Sequence, residues 1–154
     1  MATEIERKFL VTSDAWRGQG TATDFRQGYL STVKERTVRV RAAGDDGWLT
    51  IKGITTGASR TEFEYPIPVA DAHAMLDELC ERPIIEKTRH VVDVDGATWE
   101  IDEFDGANEG LVVAEIELTD ADEDVALPDW VGDEVTDDPR YFNANLIAHP
   151  YSQW

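Results

Sequence analysis

Polar and apolar residues alternate with a period of two along most of this chain, the pattern of strands whose two faces meet different surroundings. Thr3–Val11 sets Glu4, Glu6 and Lys8 against Ile5, Arg7 and Phe9. Phe25–Thr32 follows, then Thr37–Arg41, where Thr37, Arg39 and Arg41 share one face and Val38 and Val40 the other. Gly44–Gly47 reads as a hairpin turn signalled by Asp45-Asp46-Gly47, and Trp48–Gly53 continues with Leu49 and Ile51 opposite Thr50 and Lys52. Arg60–Val69 sets Phe63 and Tyr65 against Arg60, Glu62 and Glu64. Ile84–Val94, Thr98–Phe104 and Leu111–Leu118 are further strands separated by Asp-Gly turns. Ala74, Met75 and Leu79 at helical spacing predict a helix over Ala70–Arg82, closed by Pro83. A second helix is predicted over Pro139–Ala148, with Asp138 as cap and Pro139 at its first position. Thr119–Asp138 reads as an acidic loop with a short helical turn near Asp129–Trp130. Roughly eight strands joined mostly by turns, with two or three helices, make a largely antiparallel α+β fold. No repeat, low-complexity tract or linker divides 1–154 into more than one domain.

With 154 residues the chain is long enough to bury a core, and 42% hydrophobic content argues against disorder. The net charge of −18 argues against binding nucleic acid or an anionic membrane, since either calls for a basic surface. The apolar runs are too short to span a bilayer, and the charged N-terminus lacks the apolar stretch of a signal peptide. Cys80 is the single cysteine, which excludes an intrachain disulfide and a thiolate metal cluster. The expected location is the cytoplasm. The charge is also uneven: 13 of the 14 basic residues lie in residues 1–89 beside 14 acids, whereas residues 90–154 hold Arg140 against 18 acids. Most of the acids in the second half read as solvated surface.

The cations are sorted as well as clustered. Glu4, Glu6 and Lys8 share a strand face, as do Arg39 and Arg41, Lys87 and Arg89, and Glu115 and Glu117, while Lys52 lies on the polar face of its own strand. Either these faces are solvated, or they line the lumen of a closed barrel. A charged lumen must be hydrated, internally paired, or filled by a ligand and metal. Clustered Arg and Lys suit phosphate oxygens. Clustered Glu without His or Cys suits a hard cation, Mg²⁺ or Mn²⁺.

The opening Glu4-Ile5-Glu6-Arg7-Lys8 resembles the Glu-x-Glu-x-Lys signature of the CYTH superfamily, the triphosphate tunnel metalloenzymes. Gln27-Gly28-Tyr29-Leu30, Val38-Arg39-Val40-Arg41, Leu49-Thr50-Ile51-Lys52-Gly53 and Arg60-Thr61-Glu62-Phe63-Glu64 agree in order. Glu86-Lys87-Thr88-Arg89, Ala114-Glu115-Ile116-Glu117-Leu118, Val135-Thr136-Asp137 and Arg140-Tyr141 complete a likeness over nearly the whole chain. The resemblance implies an eight-stranded antiparallel closed β-barrel, or tunnel, with helices packed outside. It implies that Glu4, Glu6 and Glu117 hold the divalent metal, with Glu115 beside it or on a second ion. Lys8, Arg39, Arg41, Lys52, Lys87 and Arg89 would hold the triphosphate. Tyr29 would be the companion of Lys8, which acts either on water or as one more phosphate clamp. Glu62 and Glu64 would pair with lumen cations, and Asp102, or Glu100 on the same face, would support the acidic end.

The opening motif and the short chain look most like the compact inorganic triphosphatases. The resemblance therefore implies hydrolysis of a small-molecule triphosphate to diphosphate and phosphate, by a monomer or homodimer. A class IV adenylate cyclase, a thiamine triphosphatase and a non-catalytic polyphosphate- or nucleotide-binding module are the alternatives. His73, His90 and His149 have no partner at ligand spacing. Trp48, Trp99 and Trp130 read as packing residues, Cys80 as a buried small hydrophobe, and Arg140 as an ion-pair partner of the neighbouring aspartates.

Overall fold

The computed structural model describes residues 2–154. Strands β1 (Ala2–Val11), β2 (Thr21–Ser31), β3 (Thr37–Ala43), β4 (Asp46–Lys52) and β5 (Ser59–Ile67) come first. Helix α1 (Val69–Glu78) separates them from β6 (Ile85–Val94), β7 (Ala97–Phe104) and β8 (Val112–Glu117). Neighbours pair antiparallel in the order β5-β4-β3-β2-β6-β7-β8-β1, and β1 also pairs with β5, so these eight strands close into a barrel. A short β9 (Val131–Glu134) lies against the end of β1. Among the described residues no helix is long and apolar enough to cross a membrane.

Residues directly opposite in an antiparallel ladder point to the same side of the sheet. Tyr29 lies opposite Arg39, Arg39 opposite Thr50, and Thr50 opposite Glu64. Lys8 lies opposite Glu115, Glu115 opposite Glu100, and Arg89 opposite Asp102. The polar faces read from the sequence thus join into one continuous inner wall. The turns help fix this register: Asp95 and Gly96 both adopt positive φ in the tight β6–β7 hairpin, and Gly44 does so between β3 and β4.

Much of the apolar core therefore sits outside the barrel. Phe9, Val92, Trp99, Ile101 and Ile116 face outward and are covered by Trp16 from the β1–β2 connection and Trp130 from the acidic segment. On the opposite side, Val40, Ala42 and Leu49 are covered by Ala72, Leu76 and Cys80 in and after α1. A third cluster lies on the inward face: Tyr29, Ile85, Phe104 and Val113, which stand opposite Arg39, Gln27, Lys87 and Asp102, pack against Tyr141, Leu146 and Ile147 of the C-terminal segment.

The structure departs from the sequence expectations where tertiary contacts override local signals. Helix α1 ends at Glu78 rather than Arg82, because the Glu81 backbone N–H donates to Tyr29 O on β2. The expected helix over 139–148 is instead a 3-10 turn (Pro139–Tyr141), an extended Phe142 and a single turn, α2 (Asn145–Ala148). Asp138 does cap the first turn, accepting from the Arg140 backbone N–H. Continuation as helix is blocked because the Tyr141 carbonyl accepts from Lys8 Nζ at 3.0 Å. Residues Asp129 and Trp130 form a turn, but the expected loop also contains β9, which Glu134 anchors to Arg7 at 2.7 Å.

Gly28 lies opposite Val40 under α1, where a Cβ atom would sit 2.9 Å from Cys80 Cβ and 3.1 Å from Leu76 Cδ2. Gly28→Ala should therefore destabilise the fold by about 1–3 kcal/mol, as overpacking does. Denaturant unfolding checks this, and wild-type stability would mean that α1 does not press on β2.

Candidate active site

The inner wall encloses a cavity of about 350 Å³ lined almost wholly by charged and polar side chains. Its deepest anchor is Asp102 on β7, 1% exposed, which accepts from Lys87 Nζ at 2.7 Å and from Arg89 Nε and Nη2 at 2.8 and 2.9 Å. Burial alone would raise the Asp102 pKa, but Lys87 and Arg89 hold the carboxyl well below the usual range. Burial draws the Lys87 ammonium downward, with Arg89 and Arg41 adding to it and Asp102 opposing. Arg89 also reaches Glu100 at 3.0 Å.

A second cluster joins β1, β4 and β5. Lys52 Nζ donates to both oxygens of Glu4, at 3.0 and 2.9 Å, and lies 3.3 Å from Glu62. Arg60 Nε contacts Glu4 at 3.3 Å. Burial opposes ionisation of Glu4, yet Lys52 and Arg60 hold it well below the ordinary range. Burial and the neighbouring Glu4 push Glu62 up to about 7. Glu64 lies 3.6 Å from Arg39 and accepts from the Thr50 hydroxyl.

Lys8, between these clusters, lies 3.4 Å from Glu115. Burial disfavours its charge, but Glu115 and Glu6 win and raise its pKa, so Lys8 is an ammonium. Tyr29 lines the same cavity, yet among the described residues no hydrogen bond joins it to Lys8, whose partners are Glu115 and the Tyr141 carbonyl. The expected Lys8–Tyr29 contact is thus replaced by an ion pair that keeps the lysine protonated.

Three groups are left unanswered. Arg41 is the one inward-facing strand cation, among the described residues, with no carboxylate in salt-bridge range; Gln27 Oε1 accepts from its Nε and Nη2 instead. Arg39 Nε is buried with no hydrogen-bond partner among the described residues. Glu6, opposite Glu117, makes no side-chain hydrogen bond or ion pair among the described residues. Burial and the neighbouring Glu115 and Glu4 push Glu6 up to about 8. A carboxylate in that position calls for a cation, and all-oxygen donors suit a hard divalent ion. Among the described residues no three carboxylate, His or Cys groups close on one point at ligand range. Glu4 is drawn onto Lys52 and Arg60, and Glu115 onto Lys8.

Every residue expected in the site lies on the inner wall, in the cavity lining or, for Asp102, just behind it. Arg60, Gln27 and Asn143 join the site beyond the residues expected. Arg60 shares the strand face of Glu62 and Glu64, so the alternation marks it. Gln27 sits on the inward face of β2 but carries no charge to draw notice. Asn143 comes from a segment whose path only the tertiary contacts set.

Fold and site together define a closed antiparallel barrel with an ionic lumen and an apolar core that lies largely on its outer face. The CYTH domain model matches residues 2–151. The chain is 51% identical over 154 residues to an inorganic triphosphatase of Acetivibrio thermocellus, spanning 100% of this chain and 99% of that one. It is 39% identical over 148 residues to an inorganic triphosphatase of Nitrosomonas europaea, spanning 94% and 96%. A solved structure of an inorganic triphosphatase superposes with a TM-score of 0.69 at 34% identity, covering 96% of this chain and 95% of that one. This chain belongs to the CYTH family.

Glu6 gives the site a pH signature. Its pKa rises from 4.5 to about 8 on folding, so the folded state binds the extra proton between those values. Its stabilisation is present below the unfolded pKa and lost as pH rises through the folded one. The melting temperature of the metal-free protein should therefore fall between about pH 5 and pH 9, and Glu6→Gln should flatten that fall. An unchanged pH dependence in Glu6→Gln would contradict the assignment of a protonated Glu6.

Proposed function

We propose that this protein is a metal-dependent inorganic triphosphatase that hydrolyses triphosphate to diphosphate and phosphate within the barrel. The observation that carries this reading is a pair of unanswered groups in one cavity: Arg41 without a carboxylate and Glu6 without an ion-pair partner. A polyphosphate with a bound divalent ion answers both. The names carried by the relatives at 51% and 39% identity support the same substrate.

Glu4, Glu6, Glu115 and Glu117 would hold Mg²⁺ or Mn²⁺. When bound, such an ion supplies Lewis-acid stabilisation of charge on phosphate oxygens. Arg39 and Arg41, on one face of β3, line the cavity and offer guanidinium charge to the triphosphate, with no carboxylate offsetting that of Arg41. Lys52, Lys87 and Arg89 exchange part of their carboxylate contacts for phosphate oxygens; Glu62 and Asp102 keep these cations in place between turnovers, as Glu64 keeps Arg39. Lys8, held as an ammonium, positions a phosphate oxygen or the attacking water. Water adds to the terminal phosphorus, and the bond from that phosphorus to the bridging oxygen breaks with its electrons on the diphosphate. Of the two water protons, one stays on the phosphate as its hydroxyl and the other is released to the medium. Charge developing on the bridging oxygen meets guanidinium and ammonium groups already in position, the contribution that dominates phosphoryl transfer.

Phosphorus NMR with Mg²⁺ or Mn²⁺ tests the reaction. Equal phosphate and diphosphate should appear from inorganic triphosphate, with ATP little changed. Diphosphate and cyclic AMP from ATP would make the chain a cyclase, and binding without turnover would make it a binding module. Glu117 is exposed at the end of β8, so Glu117→Ala should leave folding intact. It should lower kcat at least about 100-fold if this carboxylate holds the ion. Near-wild-type turnover in that variant would remove Glu117 from the metal site.

A further inference from the structure

Gln27, on β2 opposite Arg41, is 0% exposed. Its Oε1 accepts from Arg41 Nε at 3.1 Å and Nη2 at 3.0 Å. Its Nε2 donates to Asn143 Oδ1 at 2.7 Å, and that same oxygen accepts from Lys87 Nζ at 3.1 Å. Guanidinium and ammonium groups only donate, so the two ends of this chain fix both amides. The Gln27 oxygen must face Arg41 and the Asn143 oxygen must face Lys87, which leaves the Gln27 NH₂ to bridge them. Phe25, on the same face of β2, packs its ring 4.7 Å from the Arg41 guanidinium and 5.0 Å from that of Arg89. The Nε–Nη2 edge of Arg41 is thus held, and one face of the group rests on an aromatic ring.

We propose that Gln27 is a positioning residue for phosphate: it orients the Arg41 guanidinium through a neutral acceptor, leaving the full positive charge and the Nη1 donors for a phosphate group. This rests on the triphosphatase reading above. The other inward-facing strand cations are oriented by carboxylates, which partly cancel the charge they position. A carboxylate at position 27 would hold the same edge of Arg41 and offset its charge. An apolar side chain would spare the charge but release the fork. The amide alone meets both demands. Through Asn143 it also ties Arg41 of β3 to Lys87 of β6, fixing the separation of two cations on different strands.

Gln27→Glu and Gln27→Met separate the two demands. In Gln27→Glu the Asn143 amide can turn its NH₂ toward the new carboxylate while Lys87 keeps Asp102. KM for inorganic triphosphate should rise about tenfold or more, with kcat changed less than about threefold. In Gln27→Met, which fills a similar volume, kcat should fall about tenfold or more with a smaller change in KM. Nitrogen NMR of the Arg41 Nε–H, assigned by its absence in Arg41→Lys, gives a readout independent of turnover. Its exchange with water should be slow in wild type and fast in Gln27→Met. This signal still decides the positioning role if Gln27→Glu does not fold. A wild-type KM in folded Gln27→Glu, or a protected Nε–H in Gln27→Met, would overturn the inference and leave the triphosphatase reading standing. A wild-type protein inert toward triphosphate would overturn that reading and the phosphate role of Gln27 with it, whatever the Nε–H signal shows.

Discussion

Charge buried inside a closed barrel must be answered by other charge, and that constraint organises this protein. An Arg or Lys removed from water loses its hydration, and a partner repays the loss only at close range and in good geometry. Asp102 serves two cations at once, Lys87 at 2.7 Å and Arg89 at 2.8 Å, and is the most deeply buried charged residue of the lumen. Glu4 does the same for Lys52 and Arg60. Such pairs are poor sources of net stability. Their concentration on one inner wall is better understood as preorganisation: the cations are held at fixed positions before any ligand arrives. The groups left over, Arg41, Arg39 Nε and Glu6, then define what the ligand must bring.

An ionic lumen also dictates the rest of the fold. With the inner face given to charge, the barrel relies on its outer face for much of its hydrophobic stabilisation, so that face needs cover. Helix α1 supplies it over β3 and β4, and Trp16 and Trp130 supply it over β1, β7 and β8. The C-terminal segment covers a third cluster and also reaches the lumen, where the Tyr141 carbonyl holds Lys8 and Asn143 holds Lys87. Segments that look peripheral along the chain thus position the site.

The period-two alternation made the barrel strands and their inward faces legible, because a side chain's face in a strand depends only on its parity. Glu4, Glu6 and Lys8, or Arg39 and Arg41, announce a common face before any register is known. The register itself, and so the pairing of Arg89 with Asp102 or of Lys52 with Glu4, is a property of neighbouring strands that no single segment encodes. Strand β9 carries no sequence signal, because four residues with one clear apolar position show no period. The C-terminal helix signal fails for a different reason: Asp138 and Pro139 are sound helix-start residues, but Lys8 takes the carbonyl of Tyr141 and breaks the run. Gln27 is silent in the sequence, because a lone amide within a strand has no signature until its partners are in place.

On the proposed function, the lumen is complete only when a divalent ion and a polyphosphate occupy it together. Thermal unfolding with a methylene-bridged triphosphate analogue, with Mn²⁺, and with both tests it directly. The two ligands together should raise the melting temperature well beyond the sum of their separate effects, because each answers a charge the other leaves exposed. Stabilisation by the analogue alone that equals the combined effect would contradict the account, since the cations would then need no metal beside them.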